Sequence, residues 1–302
     1  MQQELISRNE DLKRLRDEGY EVEIRGGYLL IHHIPYPKSL DSTVTEKTYK
    51  PVISKDCETV FYYIDTNSSR AAIDSINSKF KGQKIAIIGM GGTGSYILDL
   101  VAKTAVMEIH LFDGDDFNQH NAFRAPGAAS LEDLEKHMKK TDYLENIYSK
   151  MHRQIVSHGY FIDACNIDIL GEMSFVFVSI DNNSVRKMIV DYLLIAGIPF
   201  IDVGVGITEV DGRLGGLVRT TVVTKDKTKH VETTIPMVNS EEEAAYSSNI
   251  QIAELNALNA CFAVIRWKKI CGFYNDFGNE FNTVYSVSGG TIQVCPVQYL
   301  CG

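Results

Sequence analysis

Hydrophobic and polar positions follow two different rhythms, and the change falls near residue 68. Asn9 to Glu18 is a charged stretch with Leu12 and Leu15 on one helical face, and Gly19 is a natural stop. Tyr20 to Arg25 alternates as a strand does, Gly26-Gly27 supplies a tight turn, and Tyr28 to Ile34 predicts a second strand. A loop rich in Pro, Ser and Thr runs from Pro35 to Pro51, and Val60 to Ile64 predicts a third strand. Residues 1–67 therefore predict a small α+β module.

Beyond it, apolar runs and helical periods take turns. Strands are predicted at Lys84–Ile88, Glu108–Phe112, Phe175–Ser179 and Pro199–Val203. Helices are predicted at Ser95–Thr104, over most of Leu131–His158, and at Ser184–Ala196. This alternation implies a parallel sheet covered on both faces. Gly215 to Thr224 is β-rich without an intervening helix, so antiparallel strands should extend the sheet. Lys225 to Ser247 reads as an exposed polar loop, Asn249 to Ile270 as a long apolar helix, and Val284–Val287 with Thr291–Val297 as closing strands. The fold class expected for residues 68–302 is α/β, a Rossmann-like doubly wound mixed sheet.

At 302 residues and 44% apolar, the chain can bury a sizeable core. Its 39 acidic against 30 basic residues, net −9, disfavour general binding to nucleic acid or anionic membrane. No apolar run approaches the roughly 20 residues of a membrane helix, and Met1 to Ser7 is polar, unlike a signal peptide. The six cysteines form no Cys-x-x-Cys pair, as expected of reduced thiols in the cytoplasm.

Chemistry concentrates after the first strand of the larger unit. Gly89-Met90-Gly91-Gly92-Thr93-Gly94 fits G-x-G-x-x-G between a strand and a helix. Glycines there let backbone approach phosphate oxygens, and the helix N-terminus offers free N–H groups. Asp113 ends the second strand, where an acid takes ribose hydroxyls. NAD and ATP fit these features equally well.

The next residues separate the two. FDGDDFNQHNAFR resembles the D-x-D…N-x-x-R signature of the ThiF family, which includes MoeB and the ubiquitin-activating enzymes. The resemblance implies that Asp113, with Asp115 beside it, binds the ribose side of ATP and that Asn121 and Arg124 reach the phosphates. It also implies a lysine on the following helix. Lys136, Lys139 and Lys140 stand there, and Lys140 fits the register. FVSIDNNSVR resembles the strand-end D-N-x-x-x-R, which implies that Asp181 holds Mg²⁺ with Asn182 next to it. Arg186 is assigned to helix packing. Arg70, on an early helix, matches an arginine that crosses a dimer interface into the partner's ATP site. The resemblance spans Ser68 to the C-terminus and implies a homodimer that joins AMP to a carboxylate. The implied substrate is the C-terminal Gly of a ubiquitin-like or sulfur-carrier protein.

Two family features are missing. The paired Cys-x-x-Cys zinc site has no counterpart, so no zinc is expected, and Lys225–Ser247 contains no cysteine nucleophile. Cys165, Cys261 and Cys271 read as structural, and His120 is the one histidine near the nucleotide motif. The N-terminal module resembles an extra domain of bacterial ThiF-type proteins encoded beside ubiquitin-conjugation-like partners and JAB-type metalloproteases. It is suited either to strand addition by a partner or to capping. The rival readings are an NAD-dependent oxidoreductase and a non-catalytic nucleotide-binding adaptor.

Overall fold

The computed structural model describes residues 17, 21–25, 28–33, 59–238 and 250–296. The chain divides into two compact units, Met1–Val52 and Ile53–Gly302. In the first, β1 (Glu21–Arg25) pairs antiparallel with β2 (Tyr28–His33), and Arg25 lies opposite Tyr28 on either side of the two glycines. The helix expected at Asn9–Glu18 falls outside the described residues, apart from a helical Asp17.

The second unit starts without the strand expected at Val60–Ile64. An isolated bridge from Phe61 to His152 stands in its place, because Phe61 meets one residue of a turn rather than a strand edge. Then come α1 (Thr66–Ala71), α2 (Asp74–Asn77), β3 (Lys84–Ile88), α3 (Gly92–Val101) and β4 (Glu108–Phe112). They are followed by α4 (Gln119–Ala122), α5 (Leu131–Glu135), α6 (Lys140–Tyr148), β5 (Ile155–His158), β6 (Phe175–Val178) and α7 (Asn183–Ala196). The chain continues through β7 (Phe200–Val210), β8 (Arg213–Val223), α8 (Val231–Thr234), α9 (Ala253–Ile270), β9 (Glu280–Ser286) and β10 (Thr291–Pro296).

Eight strands form one sheet in the order β10-β9-β8-β7-β6-β3-β4-β5. From β5 to β7 all neighbours are parallel; from β7 to β10 all are antiparallel. Alternation along each strand feeds two cores. Ile85, Ile87, Ile109, Leu111 and Phe177 pack under α3, α6 and α9, with Trp267 stacked on Phe80 at 4.8 Å. Ala86, Ile88, Phe112, Val176 and Val178 pack against Ile189, Val190 and Leu193 of α7. β3 is flanked by β4 on one side and β6 on the other, so the chain reverses its winding beside β3. Ligands of open α/β sheets bind outside the carboxyl ends of strands at such a point.

Four expectations are corrected. Leu131–His158 is not one helical stretch: it holds two helices and then β5, which pairs with β4. α3 begins at Gly92, inside the glycine motif, rather than at Ser95. The segment after β8 is not simply exposed. His230, Val231 and Ile235 are buried, with His230 bonded to the Val222 carbonyl at 2.8 Å. Cys165 and Cys261 are exposed rather than structural, because Cys261 points away from the sheet-facing side of α9. No described helix is long and apolar enough to cross a membrane.

Candidate functional site

The glycines do unequal work. Gly89 has φ +87°, and a Cβ on it would lie 2.2 Å from the Ser179 carbonyl oxygen. A Cβ on Gly94 would lie 1.9 Å from the Gly89 oxygen, and one on Gly92 would meet the Asn256 amide at 1.9 Å. These three are glycines because protein packs against them. Gly91, the N-cap of α3 at φ −71°, has nothing within 4 Å of its would-be Cβ. It opens outward, where an anion approaching the helix N-terminus would lie.

Asp113, at the end of β4, is buried and tied to this loop. It accepts from the Met90 amide at 2.7 Å and the Asp115 amide at 2.9 Å. A carboxylate has about four lone-pair sites, so further acceptance is open. Lys140 is the lysine brought to it: its Nζ lies 2.6 Å from Asp115 and 3.5 Å from Asp113, and the residue is buried. An isolated antiparallel bridge between Asp116 and Lys139, with Lys140 N donating to the Asp115 carbonyl at 3.0 Å, sets that position. Lys139 turns instead to Asp116 at 2.7 Å and the Gly114 carbonyl, and Lys136 pairs with Asp133 on the surface.

α4 presents the next pair. Asn121 is buried; its Oδ1 accepts from Asn118 N at 2.9 Å, while its Nδ2 has no partner. Arg124 follows one turn later, its Nε buried and likewise unpartnered. Burial lowers the Arg124 pKa, and the charges of Asp181 and Asp115 oppose that shift. The guanidinium stays charged regardless. Asp181 is exposed just past β6, two residues after the Ser179 that closes on Gly89. Asn182 is the N-cap of α7, its Oδ1 accepting from Ser184 N and Val185 N at 3.0 and 3.1 Å. Arg70 lies in α1, and its side chain falls outside the described residues. His120 is exposed, beside an open depression of about 660 Å³ lined by Asn118, Gln119 and Phe123.

The fold thus gathers a glycine turn, three carboxylates (Asp113, Asp115, Asp181), two cations (Lys140, Arg124) and unpartnered buried N–H donors, Asn121 Nδ2 and Arg124 Nε among them, at one end of the sheet. Buried donors without partners are rare in folded proteins, and they match the oxygen-rich outline of a nucleotide phosphate. With carboxylates outnumbering cations, a polyphosphate needs a further counter-charge. One carboxylate plus phosphate oxygens is a common Mg²⁺ environment. No group of three or more metal-binding side chains occurs among the described residues.

Three features escaped the sequence. Asn256 of α9 covers Gly92, and Phe161 lies on Gly114, whose would-be Cβ comes 2.7 Å from its ring. Asp202 of β7 is fully buried between Arg186 of α7 and Arg219 of β8. That ion-pair triad agrees with the packing role given to Arg186. A single aromatic or Asn far from any motif carries no signal, whereas the Asp202 triad was visible in principle as a charge inside an apolar strand.

A search of curated proteins finds no match. Among solved structures, E. coli MccB with MccA-N7isoASN aligns at TM-score 0.58 and 17% identity, covering 73% of this chain and 66% of that one. E. coli MccB with ATP aligns at TM-score 0.58 and 19% identity, covering 73% and 66%. PaaA aligns at TM-score 0.59 and 17%, covering 74% and 75%. The chain therefore spans about two thirds of the length of the MccB structures, and the likeness is one of fold. A profile named as a domain of unknown function (DUF6791) matches residues 10–39. The ThiF family profile matches residues 65–296, a span that holds the glycine turn, Asp113, Asn121, Arg124, Lys140 and Asp181, and this chain belongs to the ThiF family.

Proposed function

We propose that this chain is an ATP-dependent adenylating enzyme that joins AMP to the C-terminal carboxylate of a protein or peptide. Family membership supports carboxylate adenylation in general. The observation that carries the reading is the pair of buried, unpartnered donors, Asn121 Nδ2 and Arg124 Nε, with Arg124 in electrostatic reach of Asp115 and Asp181.

In this reading a substrate carboxylate oxygen attacks the α-phosphorus of ATP. The P–O bond to the β-phosphate breaks, and pyrophosphate leaves with the bonding electrons. The carboxylate is already the nucleophile, so no general base is needed. Rate enhancement comes from alignment and charge compensation. Asp113 takes ribose hydroxyls; Gly89, Gly91, Gly92 and Gly94 shape the phosphate turn. Asn121, Arg124 and Lys140 meet phosphate oxygens, with Lys140 exchanging part of its contact with Asp115. Asp181 holds Mg²⁺, which neutralises phosphate charge when bound, and Asn182 fixes the turn that carries Asp181. Arg70 is proposed to reach the partner's site in a homodimer.

We assign the acyl substrate to a ubiquitin-like or sulfur-carrier protein ending in Gly. MccB was crystallised with MccA, which supports a protein or peptide partner as a class. A ubiquitin-conjugating-like protein is the proposed acceptor of the acyl group. An NAD oxidoreductase explains the glycine turn and Asp113 but gives Arg124 no task. The test is ATP–pyrophosphate exchange with Mg²⁺ and a panel of proteins ending in Gly. Exchange that depends on a panel member supports the proposal. No exchange with any member, together with NAD binding by calorimetry, removes it.

A further inference from the structure

Asn256 sits at the candidate site with no part in the scheme above. It comes from α9, far along the chain from the nucleotide motifs, and is 2% exposed. Its Oδ1 accepts from Thr93 Oγ1 at 3.1 Å. Its Nδ2 is buried and unpartnered. A Cβ built on Gly92 would lie 1.9 Å from that nitrogen and 3.0 Å from the oxygen, so the amino end of the amide rests over the first residue of α3.

The same helix supplies a comparison. Asn259, one turn further on, is also buried, yet both ends of its amide are engaged. Oδ1 accepts from Thr220 Oγ1 at 2.9 Å, and Nδ2 donates to the Gly204 carbonyl at 3.2 Å. Where a buried amide only joins helix to sheet, this fold satisfies it fully. The orphan is the one over the phosphate turn. An unpartnered buried amino group is costly and calls for an explanation.

The turn provides one. The first bond within α3 runs from Ser95 N to the Gly91 carbonyl at 3.1 Å. The amides ahead of it are first-turn donors with no intrahelical carbonyl to bond. We propose that Asn256 is a phosphate-binding residue, its Nδ2 adding a donor from α9 to the first-turn amides of α3 for the phosphate chain of a nucleoside triphosphate. This rests on the adenylation reading and extends it, because it makes α9 part of the nucleotide site. A neutral donor suits the position: it binds an oxygen without drawing another carboxylate toward the phosphates. It also explains Gly92, since a side chain there would displace the amide.

The test compares calorimetric affinities of Mg-ATP and adenosine for the wild type, Asn256→Asp and Asn256→Ala, with thermal unfolding run on each. Asn256→Asp keeps the shape but turns a donor into a negative acceptor. It is expected to weaken Mg-ATP by about 10-fold or more and leave adenosine unchanged. Asn256→Ala, which adds no charge, is expected to show a smaller loss, again for ATP alone, and decides the matter if the Asp variant does not fold. Equal losses for ATP and adenosine, or none, would mean packing only and overturn the inference. Wild-type protein that binds no ATP would sink the adenylation reading together with this one, a result distinct from an intact ATP affinity in the variants.

Discussion

Gly89 and Gly91 stand two residues apart and are glycines for opposite reasons. Gly89 combines a positive φ with a carbonyl 2.2 Å from its would-be Cβ, so Gly89→Ala should destabilise the fold on the order of 2 kcal/mol or more. Gly91→Ala meets open space at an ordinary φ and should unfold near the wild-type temperature while binding nucleotide more weakly. Thermal melts paired with nucleotide titration separate the two, and matching melting losses would contradict the division of labour. Asp181→Ala should abolish ATP–pyrophosphate exchange while the melting temperature holds, since the residue is exposed at a strand end. Arg124→Ala should lower exchange by about 10²-fold or more, because the charge proposed to meet the phosphates is lost. Normal exchange in either variant would remove that residue from the site.

At the scale of elements, β5 is the clearest departure from the expected pattern. Ile155–His158 is only four residues long, too short for its β-branched Ile155 and Val156 to stand out at the end of a largely helical stretch. Pairing with β4 makes it a strand. The same edge holds a polar chain. His110 Nδ1 lies 3.0 Å from His158 Nε2, His110 Nε2 lies 3.1 Å from Glu108, and Tyr160 OH reaches His158 Nδ1 at 3.2 Å. Burial first, then the charge of His110, pushes the His158 pKa down to about 4 from 6.5. The folded state then binds fewer protons than the unfolded chain between those values. Its contribution to stability is present above about pH 6.5 and is lost as pH falls toward 4. Denaturant titrations from pH 7 to 4 should show this decline, and His158→Phe should flatten it; an unchanged slope would assign the decline to other groups. The β7–β8 hairpin has a local sequence signal. Asp211-Gly212, both at positive φ, is a primed two-residue turn, and Asp-Gly between strands is its usual signal.

For the whole molecule, the outer side of α9 bears exposed Cys261 and Ile265, while its inner side is sealed by Ala260, Ala263, Val264 and Trp267. That outer side is our candidate for the homodimer interface. Light scattering should give twice the 33.8 kDa chain mass, and Ile265→Glu should yield monomers. A monomeric wild type would remove the proposed role of Arg70 in a partner's site.

The parallel half of the sheet and most residues of the candidate site were readable in the chain, because strand–helix alternation and short motifs are local and each spans a few neighbouring residues. Gly89 to Gly94, Asp113, Asn121 and Arg124 lie within 36 residues of sequence, so their meeting needs one strand–helix–strand unit. Register favours Lys140 over Lys139 and Lys136, and the bridge between Asp116 and Lys139 is what turns Lys140 toward Asp115 and Asp113. Which side chains from remote elements close the site was decided only by packing. Asn256 lies 164 positions beyond Gly92, and it covers that glycine because α9 docks on α3. Contacts of that kind are set by how the two layers cross the sheet, a property that no local pattern encodes.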